Sequence, residues 1–184
     1  MSISSIRGTT RRSARRHLPL ALGAVCSVGA LLSLSSPTAF AVTPTSATAS
    51  FDCGSWGSGL ATLTAADNGT TKSIKLTSSA ITMPSGSSAD PNSITATLKV
   101  VKSGGGVVEF SATANPGMTY PNPITLGPLK ITSGTLAAGD TTNLAVLTPP
   151  ASATNNTLKI VTSSPTVATV YCVATSVQSS AFTW

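Results

Sequence analysis

Histidine and arginine are nearly missing from this chain. The single histidine, His17, and all five arginines, Arg7, Arg11, Arg12, Arg15 and Arg16, fall within the first 17 residues. From residue 42 onward there is neither, and Glu109 is the only glutamate. Without the usual general base, no Ser-His-Asp or Cys-His set can be assembled there. A zinc site would have no imidazole to use. A glycosidase pair could draw only on Asp52, Asp67, Asp90, Glu109 and Asp140, which fall in turns, loops or an outward strand position. Calcium needs several converging carboxylates, and no spacing motif supplies them. The expectation is a protein that is not an enzyme and carries no cofactor and no metal.

Charge of either sign is also scarce, at 9% of residues, and so are aromatics, at 4%. The net charge of +6 is carried by the early arginines. Beyond residue 41, six lysines face five acids, leaving +1. A nucleic-acid partner would require a clustered basic patch, so none is expected. Charged helix formers for the outer faces of amphipathic helices are lacking. What is plentiful is Thr, Ser, Ala, Gly and Val, and threonine and valine favour strands.

The arginines head a recognisable address. A basic run is followed by an apolar stretch over residues 18–34 and by Thr38-Ala39-Phe40-Ala41. These are the n-region, h-region and small-x-small cleavage site of a secretory signal peptide. Residues 1–41 are therefore expected to be removed and the mature chain to start at Val42, with no membrane span left. The protein is predicted to be secreted, extracellular or cell wall-associated. The 143 residues that follow are enough for one domain that buries roughly 70% of its unfolded surface.

Cysteine is limited to three, and Cys26 lies in the signal segment. Cys53 and Cys172 remain, and in an exported chain two cysteines make one disulfide. Residues 42–48, rich in Pro, Thr and Ser, are predicted to be a flexible leader, with the domain over 49–184. Nine strands are expected, at 49–53, 59–66, 71–83, 93–101, 107–113, 124–132, 142–148, 157–162 and 167–175. Asn68-Gly69 suits a type I′ hairpin. Gly127-Pro128 interrupts the sixth strand and marks an edge or a bulge. The fold class is all-β, and the architecture expected is an immunoglobulin-like antiparallel β-sandwich.

One pattern recurs: Ile74-Lys75-Leu76, Leu98-Lys99-Val100, Leu129-Lys130-Ile131 and Leu158-Lys159-Ile160. Each sets a lysine outward between two inward apolar residues, as a solubilising and edge-guarding charge. Phe51, Phe110 and Phe182 read as core, whereas Trp56, Tyr120 and Trp184 fall in loops or at the terminus. Each strand reverses the end at which the chain emerges. Counted this way, the turns at Asn68-Gly69, Gly104-Gly105 and Ser164-Pro165 share one end. The connections containing Trp56 and spanning 84–92, 115–123 and 149–156 share the other, and the first and ninth strands run in one direction. Long loops on a rigid scaffold are where binding is built. Trp56, Asp90, Met118 and Tyr120 are therefore the candidate binding residues.

Phe51-Asp52-Cys53-Gly54 early and Tyr171-Cys172-Val173-Ala174 late, behind a long signal, resemble the small exported one-disulfide β-sandwich proteins of actinobacteria, most of unknown function. That resemblance implies export and a sandwich and transfers no functional residue. A more distant likeness in composition is to the apoproteins of enediyne chromoproteins. Those carry two short-range disulfides, which this chain cannot form. The function expected is an exported, non-enzymatic binding or structural module of the cell envelope or extracellular space, with a protein or glycan as partner. A carrier of a small apolar ligand is the alternative, and a hydrolase is third.

Overall fold

The computed structural model describes residues 41–184. Apart from Ala41, the expected signal peptide lies outside the described residues. The strands are β1 (Ser46–Asp52), β2 (Ser58–Asp67), β3 (Lys72–Thr82), β4 (Ser88–Ala89), β5 (Ile94–Lys102), β6 (Val107–Thr113), β7 (Met118–Thr119), β8 (Pro123–Ser133), β9 (Thr141–Asn143), β10 (Leu158–Thr162), β11 (Ala168–Ala174) and β12 (Phe182–Thr183). One 3₁₀ turn, Gly54–Trp56, separates β1 from β2. No helix among the described residues is long and apolar enough to cross a membrane.

The chain is all-β, but its sheet closes on itself. The pairing order is β1-β2-β3-β8-β6-β5-β10-β11 and back to β1, antiparallel at every step. The immunoglobulin-like sandwich expected from the sequence would be two stacked sheets with free edges. Here β10 joins β5 through five residue pairs, from Leu158↔Leu98 to Thr162↔Ile94, and the result is an eight-stranded barrel. Sandwich and barrel strands show the same inward-outward alternation, so the pattern alone cannot separate them.

Alternation fills the barrel. Phe51, Leu63, Ile74, Leu76, Leu98, Phe110, Leu126 and Leu129 come from six different strands and are fully buried. Eight strands leave an interior just wide enough for side chains to fill. The four lysines of the recurring pattern sit on β3, β5, β8 and β10 between buried neighbours, except that Ile131 beside Lys130 is half-buried. All four strands have partners on both sides, so these lysines solubilise the outer wall and guard no edge.

The seam between β1 and β11 is the shortest closure, with Phe51↔Ala174 and Asp52↔Val173 in register. Beyond Ala174, serines take over the ladder. The Ser50 N–H donates to Ser176 Oγ at 2.9 Å, and the Thr48 N–H donates to Ser179 Oγ at 2.9 Å. The expected disulfide is present and lies on this seam, joining Cys53 and Cys172 with Cα atoms 4.1 Å apart. The two strands are antiparallel neighbours, contrary to the expectation that they run in one direction. Continuing the register puts Cys53 opposite Cys172, so the bridge crosses between adjacent strands.

Other local expectations shift as well. Residues 42–48 are not a loose leader: Val42 is buried, Thr43 exchanges backbone hydrogen bonds with Thr183, and β1 starts at Ser46. The Asn68-Gly69 hairpin has a four-residue loop, because Asp67 pairs with Lys72. Asp67 and Asn68 side chains accept from Gly69, Thr70 and Thr71 N–H and hold the loop. Such side-chain turns compete with the two-residue type I′ form. The seventh strand shrinks to β9, followed by an isolated bridge from Val146 to Ala174. Gly127-Pro128 makes a bulge inside the sheet and not at an edge, since β8 lies between β3 and β6.

Candidate functional site

Because all eight barrel strands alternate in direction, their connections gather at two ends. At one end β1, β3, β6 and β10 finish. This loop end carries the 3₁₀ turn with Trp56, the connections 84–92 and 115–123, and the segment 163–167. The parity count had put Ser164-Pro165 at the opposite end. The structure places it here, since the Ser164 carbonyl accepts from the Asp90 N–H. It likewise moves 149–156, expected here, to the barrel's flank, where Ala153 and Asn156 overlie β5 and β10. The count fails at its seventh strand, 142–148, because β9 (Thr141–Asn143) is too short to cross the barrel and every later end is reversed.

Of the candidate binding residues, Trp56, Asp90, Met118 and Tyr120 all come to the loop end, in different environments. Trp56 is only 4% exposed and forms one wall of a shallow cleft of about 100 Å³ with Met83, Pro84, Ser87, Ser88 and Thr166. Met118 is buried, pairs with Ala89 between β7 and β4, and offers its sulfur to the Thr125 N–H at 3.3 Å. Tyr120 donates its N–H to Ser87 O at 3.2 Å and leaves its side chain 47% exposed. Asp90 is exposed, and its carboxylate accepts from Ser164 Oγ. Trp56 and Met118 therefore support the surface from below, and Tyr120 stands on it. Val167, 77% exposed, follows the cleft residue Thr166.

Two buried polar residues organise this end, and the sequence reading overlooked both. Asn115 accepts from the Ile94 N–H at 2.8 Å and donates to the carbonyls of Asp90 and Pro116. Ser93 donates to the carbonyls of Asp90 and Ser164. Together they tie three connections into one piece, because buried polar groups must find partners. Asn115-Pro116-Gly117 is a turn signal, and that was the available clue. Asn92, at φ 55°, is the one non-glycine residue with positive φ among the described residues, and its N–H donates to Asn115 O.

The acidic residues are engaged in structure. Asp52 accepts from the Gly54 N–H and Ser58 Oγ. Asp67 is bound by Lys72 and the Gly69 N–H, and Asp140 by Lys102 and the Ala137 N–H. Burial pushes the Asp67 carboxyl up, but the Lys72 ammonium and the Gly69 N–H outweigh it and hold it below its usual value. The Ala137 N–H, then Lys102, lower Asp140. No group of three or more His, Cys, Asp or Glu converges among the described residues.

The opposite, turn end is closed by aromatics. Trp184 stacks on Phe110 with centroids 5.5 Å apart, meets Phe182 edge-on at 6.2 Å, and donates Nε1–H to the buried Thr142 Oγ1 at 2.9 Å. Lys72 Nζ lies 5.8 Å above the Trp184 ring. Beside it a solvent-open cleft of about 540 Å³ lies between Thr70, Lys72, Lys130 and Leu136. The chain matches no family of known proteins, no curated protein and no solved structure.

Proposed function

We propose that the protein is an exported, non-enzymatic binding or structural module that acts in the cell envelope or extracellular space, and that its partner contacts the loop end. The observation that carries this reading is the pairing of exposed Tyr120 and Val167 with a cross-tied support of Trp56, Met118, Asn115 and Ser93. Aromatic residues held rigidly by their surroundings dominate binding energy at interfaces. The disulfide favours an oxidising compartment. The five acidic residues offer little to a hydrolase, since four of them are engaged in structural hydrogen bonds. A carrier would need an enclosed apolar space of roughly 300 Å³. The side chains of Phe51, Leu63, Leu98, Phe110 and Leu126 instead occupy the barrel interior.

The test separates culture fluid, cell wall and cytoplasm and follows the protein and whatever co-purifies with it. Replacing Tyr120→Ala together with Val167→Ser should weaken retention on the partner about tenfold, the scale of a hot-spot aromatic. Thr70→Ala at the turn end should leave retention unchanged. Confinement to the cytoplasm would refute the reading, as would retention that only the turn-end change abolishes.

A further inference from the structure

The barrel's outer flank carries a second cleft, separate from the loop end, of about 440 Å³. Its floor runs across four neighbouring strands, with Glu109 on β6, Thr97 and Lys99 on β5, Lys159 on β10 and Tyr171 on β11. Register aligns these residues. Lys99 lies opposite Glu109, and Thr97, Lys159 and Tyr171 form one cross-strand row. Three inter-strand spacings make the floor about 14 Å wide, and the two rows lie about 7 Å apart along β5.

The wall of this cleft is held as firmly as its floor. Residues 149–156 have no regular strand or helix, yet their carbonyls are taken up by two asparagines. Asn155 Nδ2 donates to Thr148 O and Pro150 O, and Asn156 Nδ2 donates to Ser152 O and Ala153 O. Ser152 and Asn155 also exchange backbone hydrogen bonds. Asn156 is buried, and its Oδ1 takes part in none of these bonds.

The charged groups around the cleft are not engaged with one another. The ion pairs among the described residues are Lys72–Asp67 and Lys102–Asp140. Lys99 and Glu109 face each other in register without forming one, and Lys159 has no acidic partner. The cleft thus presents two ammonium groups, one carboxylate, the Asn156 amide and one phenol ring, while the Thr97 hydroxyl is hydrogen-bonded to Ser111 Oγ. Its lining is more polar than apolar, and apart from that ring and Ala153 it offers no apolar side chain to anchor a peptide residue. A sugar ring needs a flat amphipathic face and surrounding polar groups instead, and tyrosine supplies the face. Two positive groups against one negative favour an anionic ligand through charge-assisted hydrogen bonds.

We propose that this flank cleft is a binding site for an anionic saccharide, a sugar chain bearing carboxylate or phosphate groups. Tyr171 stacks on a sugar ring. Lys99 and Lys159 take the anionic substituents. Glu109 and Asn156 Oδ1 accept from ring hydroxyls.

The test is calorimetric titration of the oxidised protein with four probes of equal length: an oligogalacturonate, a phosphorylated oligomannose, a neutral cello-oligosaccharide and an oligoglutamate peptide. At least one charged saccharide should bind saturably, and the neutral one at least about tenfold more weakly, the difference of one charge-assisted contact. Whether the carboxylated or the phosphorylated probe binds identifies the anion. Lys99→Ala and Lys159→Ala should each weaken binding about tenfold, and Tyr171→Phe should retain it. Lys75→Ala, an exposed lysine on β3, should change nothing. Both flank changes remove partly or fully exposed side chains, so the variants fold. Absence of binding to either charged saccharide would overturn the proposal. So would equal affinity for the neutral probe, an equal loss on Lys75→Ala, or an oligoglutamate peptide that binds as tightly as the saccharides.

Discussion

Asp67 and Lys72 face each other across the first hairpin, and the pair is nearly enclosed: the Asp67 side chain is 2% exposed. A carboxylate removed from water this far must be paired, and here it has an ammonium and a backbone N–H. Its lowered pKa implies a direction for stability. A carboxyl lowered in the folded state stabilises the fold above its unfolded value, near pH 4, and that contribution is lost as pH falls through the folded value. Asp140 behaves alike. No histidine occurs among the described residues, so no imidazole titrates there in the neutral range. The melting temperature should therefore be nearly flat from about pH 8 to pH 5 and fall below about pH 4. Asp67→Asn should lower the plateau and make the acid limb shallower. An acid limb unchanged by Asp67→Asn would show that other carboxyls set it. The Asp-Asn-Gly turn was legible in the sequence because its chemistry is local. The burial of Asp67 was not, because part of its surroundings comes from the opposite end of the chain, where the Trp184 ring sits near Lys72.

In β8 the geometry turns on one residue, Gly127. Between Ile74↔Leu129 and Leu76↔Leu126, β3 has one residue and β8 has two, Gly127 and Pro128. This bulge keeps Leu126 and Leu129 both inward, and it explains how a proline fits in an internal strand. Gly127 has φ 98°, and a Cβ there would fall 2.6 Å from Leu129 N and 2.9 Å from Ile74 O. Gly105 has φ 89°, but nothing stands within 4 Å of such a Cβ. Gly127→Ala should therefore cost about 2–3 kcal/mol, from strain and backbone displacement combined. Gly105→Ala should cost about 1 kcal/mol, from the left-handed backbone alone. Urea titration of both variants checks the difference, and equal midpoints would remove the bulge from the account. The Gly-Pro step was visible as an irregularity. Its position between two partners was not, because pairing leaves no mark on the residues of a single strand.

For the molecule as a whole, the ring of strands is only as closed as its β1–β11 seam. Two backbone pairs, the Thr175 and Ser179 N–H groups donating to Ser50 O and Thr48 O, two serine hydroxyls and the disulfide hold that seam. The bridge spans a sequence separation of 119 residues. Removing it frees the unfolded chain by about 5 kcal/mol in the loop-entropy account. Cys172→Ser should therefore lower stability by several kcal/mol, of the order of a whole domain's margin, and expose the seam first. Hydrogen exchange would show this as faster exchange at the Thr48, Ser50 and Thr175 amides than at Leu63 or Leu76. Uniform protection across the barrel in the variant would contradict it.

The sequence by itself determined the all-β class, the inward and outward faces of most strands, the disulfide and the gathering of Trp56, Asp90, Met118 and Tyr120 at one end. These follow from local rules: side chains alternate with period two, glycine and proline mark turns, and only two cysteines remain after residue 41. Tertiary structure alone decided that the sheet closes into a barrel, that Cys53 and Cys172 sit on adjacent antiparallel strands, and that residues 149–156 fold over the flank beside Lys99, Lys159 and Tyr171. Each of these rests on backbone hydrogen bonds between segments far apart in the chain. β5 meets β10 across more than fifty intervening residues, and backbone N–H and C=O groups are the same for nearly every side chain. Local pattern can tell which way a residue faces, but only the folded chain fixes which strand stands beside it.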